Sequence, residues 1–104
     1  MRIPKKLLIR KAKWEVILTR GHKKLDTRRY RGMSYLNTHQ IFIDSGLPRN
    51  EREETFIHEL LHACWPEDAC GDRLEEAIIE SLSRTLYDAL RKNRLLNKKR
   101  RKAK

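Results

Sequence analysis

Apolar and polar residues alternate with a short period in the first half of the chain and with a helical period in the second. Residues 13–19, Lys-Trp-Glu-Val-Ile-Leu-Thr, are rich in β-formers and stop at Arg20-Gly21, which predicts a strand followed by a basic loop. Leu7, Leu8 and Ile9 either extend that strand or form another. Residues 30–36 and 39–44 flank Asn37-Thr38 and predict a hairpin, with Ile41 and Ile43 on one face and Phe42 on the other. Phe42 reads as a core or sheet-packing residue. Ser45-Gly46-Leu47-Pro48 then breaks the strand.

Two helices follow. The first takes Asn50 as N-cap, with Glu53 three positions later completing a capping box, and Pro66 stops it. Phe56, Ile57, Leu60, Leu61 and Cys64 give it an apolar surface. The second starts with Asp72 as N-cap and Glu75 in another capping box, and Leu74, Ile78, Leu82, Leu86 and Leu90 recur every four residues as its core stripe, widened by Ala77, Ser81 and Ala89. The expected fold class is α+β: a small, mostly antiparallel sheet of about three strands, packed on a first helix and a longer, glutamate-bearing second helix. With no internal repeat and no long Gly, Ser or Pro linker, residues 1–95 read as one domain and residues 96–104 as a basic, disordered tail.

Composition limits the size of the core. At 104 residues, 38% hydrophobic and 7% aromatic, the chain supports one compact domain with little surplus stability. Its net charge of +11 is segregated: residues 44–88 hold twelve Asp and Glu against four Arg, and the remainder holds twenty-one Lys and Arg against Glu15 and Asp26. The acidic middle suits a divalent cation, and the basic ends suit nucleic acid as a partner. No segment approaches the roughly 20 apolar residues of a membrane span, and the basic start lacks the apolar stretch of a secretory signal. A cytoplasmic protein with no membrane partner is expected, and Cys64 and Cys70 are too few for a disulfide framework.

The acidic middle contains His58-Glu59-Leu60-Leu61-His62. Histidines four apart lie one helical turn from each other, so two neutral imidazoles can hold one metal. Glu59 is displaced around the helix, where its carboxylate can reach a water beside the metal without being a ligand. Glu76 and Glu80, one turn apart on the second helix, offer a carboxylate to complete a His/His/Glu set. The bland reading is a half-exposed polar stripe. A closed site of His58, His62, Cys64 and Cys70 is awkward, because His58 and Cys64 point to different sides of one helix.

With these elements in place, the sequence resembles the gluzincin family of HExxH zinc metallopeptidases. It is similar to minimal gluzincins and to small phage-type proteins of that kind, in which a strand like Ile41-Phe42-Ile43-Asp44-Ser45 precedes the active-site helix. The resemblance spans residues 30–90 and implies a zincin-like fold, one zinc ion per chain and hydrolysis of peptide or protein substrates. Matched residue by residue, it implies His58, His62 and Glu76 as metal ligands, Glu59 as catalytic base and Glu80 as the partner that supports His58. Glu75 becomes the alternative ligand if the register shifts by one. The connection between the two motifs is shorter than in large gluzincins, and the family's oxyanion-stabilising His or Tyr has no clear counterpart: Tyr35, His39 and Tyr87 cannot be assigned to it. The family's use of an edge strand for substrates points to the hairpin strand ending at Asp44. Besides an endopeptidase, two other classes fit: a nucleic-acid-binding module with a structural zinc, and a latent protein whose basic tail folds over the acidic cleft.

Overall fold

A computed structural model describes residues 2–20, 31–65 and 72–95; the basic loop after Arg20, Pro66, Cys70 and the tail lie outside them. The chain runs β1 (Lys6–Ile9), β2 (Ala12–Thr19), β3 (Gly32–Tyr35), β4 (Gln40–Asp44), α1 (Arg49–Cys64) and α2 (Asp72–Lys92). The α+β class is as expected, with four strands in place of about three. Leu7, Leu8 and Ile9 belong to a strand of their own, antiparallel to β2, joined to it by Arg10-Lys11.

The sheet order is β1-β2-β4-β3 and the sheet is mixed. β1 with β2 and β3 with β4 are antiparallel, whereas β2 and β4 are parallel, Val16 facing Ile41 and Leu18 facing Ile43. The expected hairpin forms, but it docks through its second strand, so β4 is interior and β3 is the edge. Alternation within a strand reports which residues share a face and carries no information on which neighbour the strand takes, so the parallel pair was not readable locally.

The pleat sends Leu7, Ile9, Trp14, Val16, Ile41 and Ile43 to the side that α1 covers, and α2 packs on α1 as a third layer. Phe42 lies on the opposite face, as expected, buried and edge-on to the Tyr35 ring at 5.6 Å. Gly32 and Ser34 share the helix-facing side of β3, and these small residues let α1 approach. A Cβ on Gly32 would stand 2.8 Å from both the Phe42 carbonyl oxygen and Thr55 Cγ2, so any side chain there must push strand and helix apart.

The start of α1 differs from expectation. Pro48 is the N-cap of α1 and makes no side-chain cap bond, so Asn50 lies inside the first turn. Glu53 is instead turned inward, where its carboxylate accepts hydrogen bonds from Tyr87 Oη at 2.6 Å and Arg49 Nε at 3.2 Å. Two donors outweigh the return from capping one backbone N–H, since a buried carboxylate without partners is far more costly than an uncapped end. At the other end, Trp65 takes an extended conformation (φ −68°, ψ 134°), as a residue before proline does, and terminates α1. α2 begins at Asp72, and Glu75 Oε2 turns to His62; the expected cap at Asp72 lies outside the described residues.

The largest difference concerns the face of α2. Ile79, Ser83 and Tyr87 form its buried line, with Leu86 and Leu90 packed at its margin, whereas Leu74, Ile78 and Leu82 are exposed. The expected stripe is therefore rotated by about one residue, and its first three members, with Ala77, Ser81 and Ala89, face outward. The helix closes with Arg94 in the left-handed region (φ 56°), Leu95 N–H bonded to Leu90 O at 2.9 Å and Arg94 N–H to Arg91 O at 3.1 Å, the Schellman arrangement with arginine where glycine is usual. No helix among the described residues is long and apolar enough to cross a membrane.

Candidate metal centre

α1 presents His58 and His62 to α2, their rings 5.0 Å apart and inclined by 56°. Ile79 and Ser83 pack inward and bring the preceding turns of α2 against that pair. His58 Nε2 lies 3.4 Å from Glu76 Oε2, and His62 Nε2 lies 2.8 Å from Glu76 Oε1. One nitrogen from each ring and one Glu76 oxygen all lie within 4.8 Å of one another. Two atoms each about 2.0–2.1 Å from a tetrahedral zinc are separated by about 3.3 Å, so this donor set fits such an ion with small side-chain adjustments.

The outer nitrogens of both rings face carboxylates. Glu75 Oε2 is 2.7 Å from His62 Nδ1, a short charge-assisted contact, and Glu80 Oε1 is 3.5 Å from His58 Nδ1, with Ser83 Oγ at the same distance. A carboxylate accepting from Nδ1–H fixes the tautomer that leaves Nε2 as a lone-pair donor, the usual arrangement behind metal-ligating histidine. Burial disfavours charge on His62, but the Glu75 hydrogen bond and the fields of Glu59 and Glu76 outweigh it, so its pKa is raised.

Glu59 is buried, at 8% exposure, on the same cavity. Its carboxyl pKa is raised by burial, only partly offset by the Ser34 hydroxyl and by His58 and His62. Ser34, reaching from β3, has its hydroxyl 2.7 Å from Glu59 Oε1 and 2.9 Å from the Glu59 carbonyl oxygen. The cavity measures about 600 Å³. Arg31, Ser34 and Leu36 line it on the strand side, Glu59 and the histidines on its floor, and Glu80 and Arg84 on the α2 side. Arg84 lies 3.5 Å from both Glu54 and Glu80.

No family model matches the chain, and neither does any curated protein or solved structure. Its own residues must therefore carry any functional reading.

The expected ligands, base and supporting carboxylates, His58, Glu59, His62, Glu75, Glu76 and Glu80, meet in one cavity. Glu76 reaches the inner nitrogens of both rings, whereas Glu75, the alternative ligand under a one-residue shift, turns to the outer nitrogen of His62. The candidates for an oxyanion donor do not join them. Tyr87 is buried against Glu53, its phenol pushed up to about 12 by burial and that carboxylate, and His39 stacks on Trp14. Tyr35 packs on Phe42, and none of the three lines the cavity. Cys64 is exposed and outside the donor group, and Cys70 lies outside the described residues. Ser34 and Arg31 were missed. Ser34 left one readable trace: a small polar residue on the inward phase of a strand beside Gly32.

Proposed function

We propose that this chain is a zinc-dependent metallopeptidase of the HExxH type. The observation that carries the reading is the convergence of His58 Nε2, His62 Nε2 and Glu76, with a carboxylate behind each ring. Three protein ligands and an open position suit a catalytic ion better than a closed structural one. A zinc ion held there polarises a carbonyl and makes water a better nucleophile near neutral pH.

The chain's own side chains have definite tasks in this reading. Glu59, with one oxygen held by Ser34, uses its carboxylate to accept a proton from the reacting water and to return it to the leaving amine; its raised pKa brings it closer to the range in which both transfers are efficient. Glu75 and Glu80 hold the imidazoles in register. The substrate-binding edge is β3 in place of β4: its outer side flanks the cavity, and an extended peptide can add to it through main-chain hydrogen bonds. The presence of an exposed thiol fits a reducing, cytoplasmic setting.

A second reading, a nucleic-acid-binding module with structural zinc, draws support from the exposed cations Arg2, Lys5, Lys6, Arg10, Lys11 and Lys13 on and beside the β1–β2 hairpin. It leaves the buried, Ser34-tethered Glu59 without a task, so the peptidase reading is preferred, with nucleic acid as a partner of the basic surface.

Elemental analysis of the wild type beside His58→Ala, Glu76→Gln and Glu59→Gln tests the proposal. The expected result is about one zinc per chain in the wild type and Glu59→Gln, with much weakened binding in the other two. Glu59→Gln should also lose all hydrolysis of an unfolded protein substrate. Wild type that takes up no zinc would remove the reading, and full hydrolysis by Glu59→Gln would remove Glu59 as base. Because imidazole and carboxylate ligands bind a metal ion only in their deprotonated forms, uptake should weaken as pH falls.

A further inference from the structure

The two carboxylates behind the histidine rings are not equally secured. Glu75 meets His62 Nδ1 at 2.7 Å, and its side chain is only 21% exposed. Glu80 approaches His58 Nδ1 no closer than 3.5 Å, and its side chain is 55% exposed. An exposed glutamate on a helix has several rotamers open to it, so Glu80 by itself does not keep an oxygen on the ring.

That looseness matters because His58 has another neighbour at the same nitrogen. The buried Ser83 Oγ lies 3.5 Å from His58 Nδ1 and 3.5 Å from the Glu80 carbonyl oxygen. A hydroxyl either accepts a hydrogen bond from Nδ1–H or donates one to a bare Nδ1, whereas a carboxylate only accepts. With Glu80 swung away, the serine hydrogen can turn to Nδ1, and the imidazole proton then sits on Nε2. His58 in that form has no lone pair on the nitrogen that faces Glu76.

Arg84 stands where it can prevent this. Its Nη2 donates to Glu80 Oε2 at 3.5 Å, which leaves Oε1 facing His58. Its Nε lies 3.5 Å from Glu54 Oε2, on α1 and one turn ahead of His58. His58, Glu80, Arg84 and Glu54 thus form a ring of contacts that crosses between the helices twice and returns to the helix on which it began. Each exposed pair alone holds little. The planar guanidinium, however, engages both carboxylates at once, so the position of one constrains the other.

We infer that Arg84 is a positioning residue of this centre: by holding Glu80 Oε1 on His58, it selects the imidazole tautomer whose Nε2 is free to ligate. The inference rests on the reading of His58 as a metal ligand. Arg84 is no ligand itself, since a guanidinium has no lone pair to give, and it acts only through Glu80.

Two measurements on the full chain test this. The first needs no metal: imidazole nitrogen shifts in NMR spectra at about pH 8, where an ordinary histidine is neutral, report the His58 tautomer. Wild type should carry the proton on Nδ1. Arg84→Met, which keeps much of the length and loses the charge, should shift His58 toward the Nε2–H form, and Arg84→Lys should restore it in part. Arg84 is 68% exposed, so the circular dichroism of both variants should match wild type. A bridge that merely ties the helices together would lower the thermal midpoint and leave the tautomer alone. Wild type with its proton on Nε2, or an Arg84→Met tautomer equal to wild type, would overturn the inference.

The second measurement is zinc affinity by competition with a chelator. Arg84→Met should weaken binding about tenfold, the low end of what loss of a partner behind a ligand costs, with most of it recovered in Arg84→Lys. Added to Glu80→Ala, Arg84→Met should cost nothing further; a full additional loss would overturn the route through Glu80. Wild type that takes up no zinc would end the metallopeptidase reading instead, and the tautomer would still decide what Arg84 does.

Discussion

The two helices contrast in how their sequences relate to their surroundings. α1 lies between the sheet and α2, yet it buries Glu53, Thr55 and Glu59 among its apolar residues. α2 has the cleaner periodicity, yet three leucine or isoleucine side chains of its stripe face outward. A hydrophobic stripe reports that a helix has a face that favours burial, but the partner is settled by whichever contacts are strongest on assembly. On α2, the glutamates that meet His58 and His62 and the Tyr87 hydroxyl that meets Glu53 turn the helix about one residue away from its most apolar orientation. Polar groups that find partners can outweigh an apolar stripe that another surface can cover.

The sharpest test of the contrast is a pair of neighbours. Ile79→Ala removes a fully buried side chain and should cost about 2–5 kcal/mol in chemical denaturation, whereas Ile78→Ala, one residue along, should cost roughly 0.5 kcal/mol or less in the single chain. Equal costs would mean that α2 does not hold this rotation. Next in size, Gly32→Ala forces a Cβ against the backbone of β4 and the Thr55 methyl, and about 1–3 kcal/mol of destabilisation is expected, with displaced β3 amide signals in NMR spectra. A neutral Gly32→Ala would mean that α1 is less tightly seated on β3 than these distances require.

Smallest of the three at neutral pH is Tyr87→Phe, which removes the phenolic donor from Glu53 and should cost about 1–2 kcal/mol. Its signature is alkaline. The folded-state pKa is raised from 10 to about 12, so below pH 10 the phenol is neutral in both states and its contribution is complete. As pH climbs from 10 toward 12 the unfolded chain loses the proton first, and stability falls by up to about 1.4 kcal/mol per unit. Tyr87→Phe should flatten that slope; an unchanged alkaline limb would show that Tyr87 does not set it.

Much of the architecture was legible because its signals are local. The β2 segment, the hairpin and both helices follow from alternation, turn residues and Pro66, and the pair His58 and His62 follows from four-residue spacing. What could not be read depends on distant partners. The parallel β2–β4 pairing is made across the connection after Arg20, and Glu53 was assigned to a cap because its actual donor, Tyr87, is 34 residues away. Ser34 looked like one more strand residue until its neighbour across the layer proved to be Glu59. Telling Glu75 from Glu76 likewise took the rotation of α2, which no spacing rule contains.

Ser34 has a single hydrogen and two oxygens of Glu59 within reach. With the carboxylate ionised, that hydrogen serves Oε1. Once Glu59 has taken up a proton, its own O–H can point at Ser34 Oγ, and the serine hydrogen is free to move to the Glu59 carbonyl. The tether between edge strand and helix thus survives a change of charge by reversing its direction. The strand can therefore stay in place with the carboxyl in either charge state, and the wall of the cleft need not reset between the two.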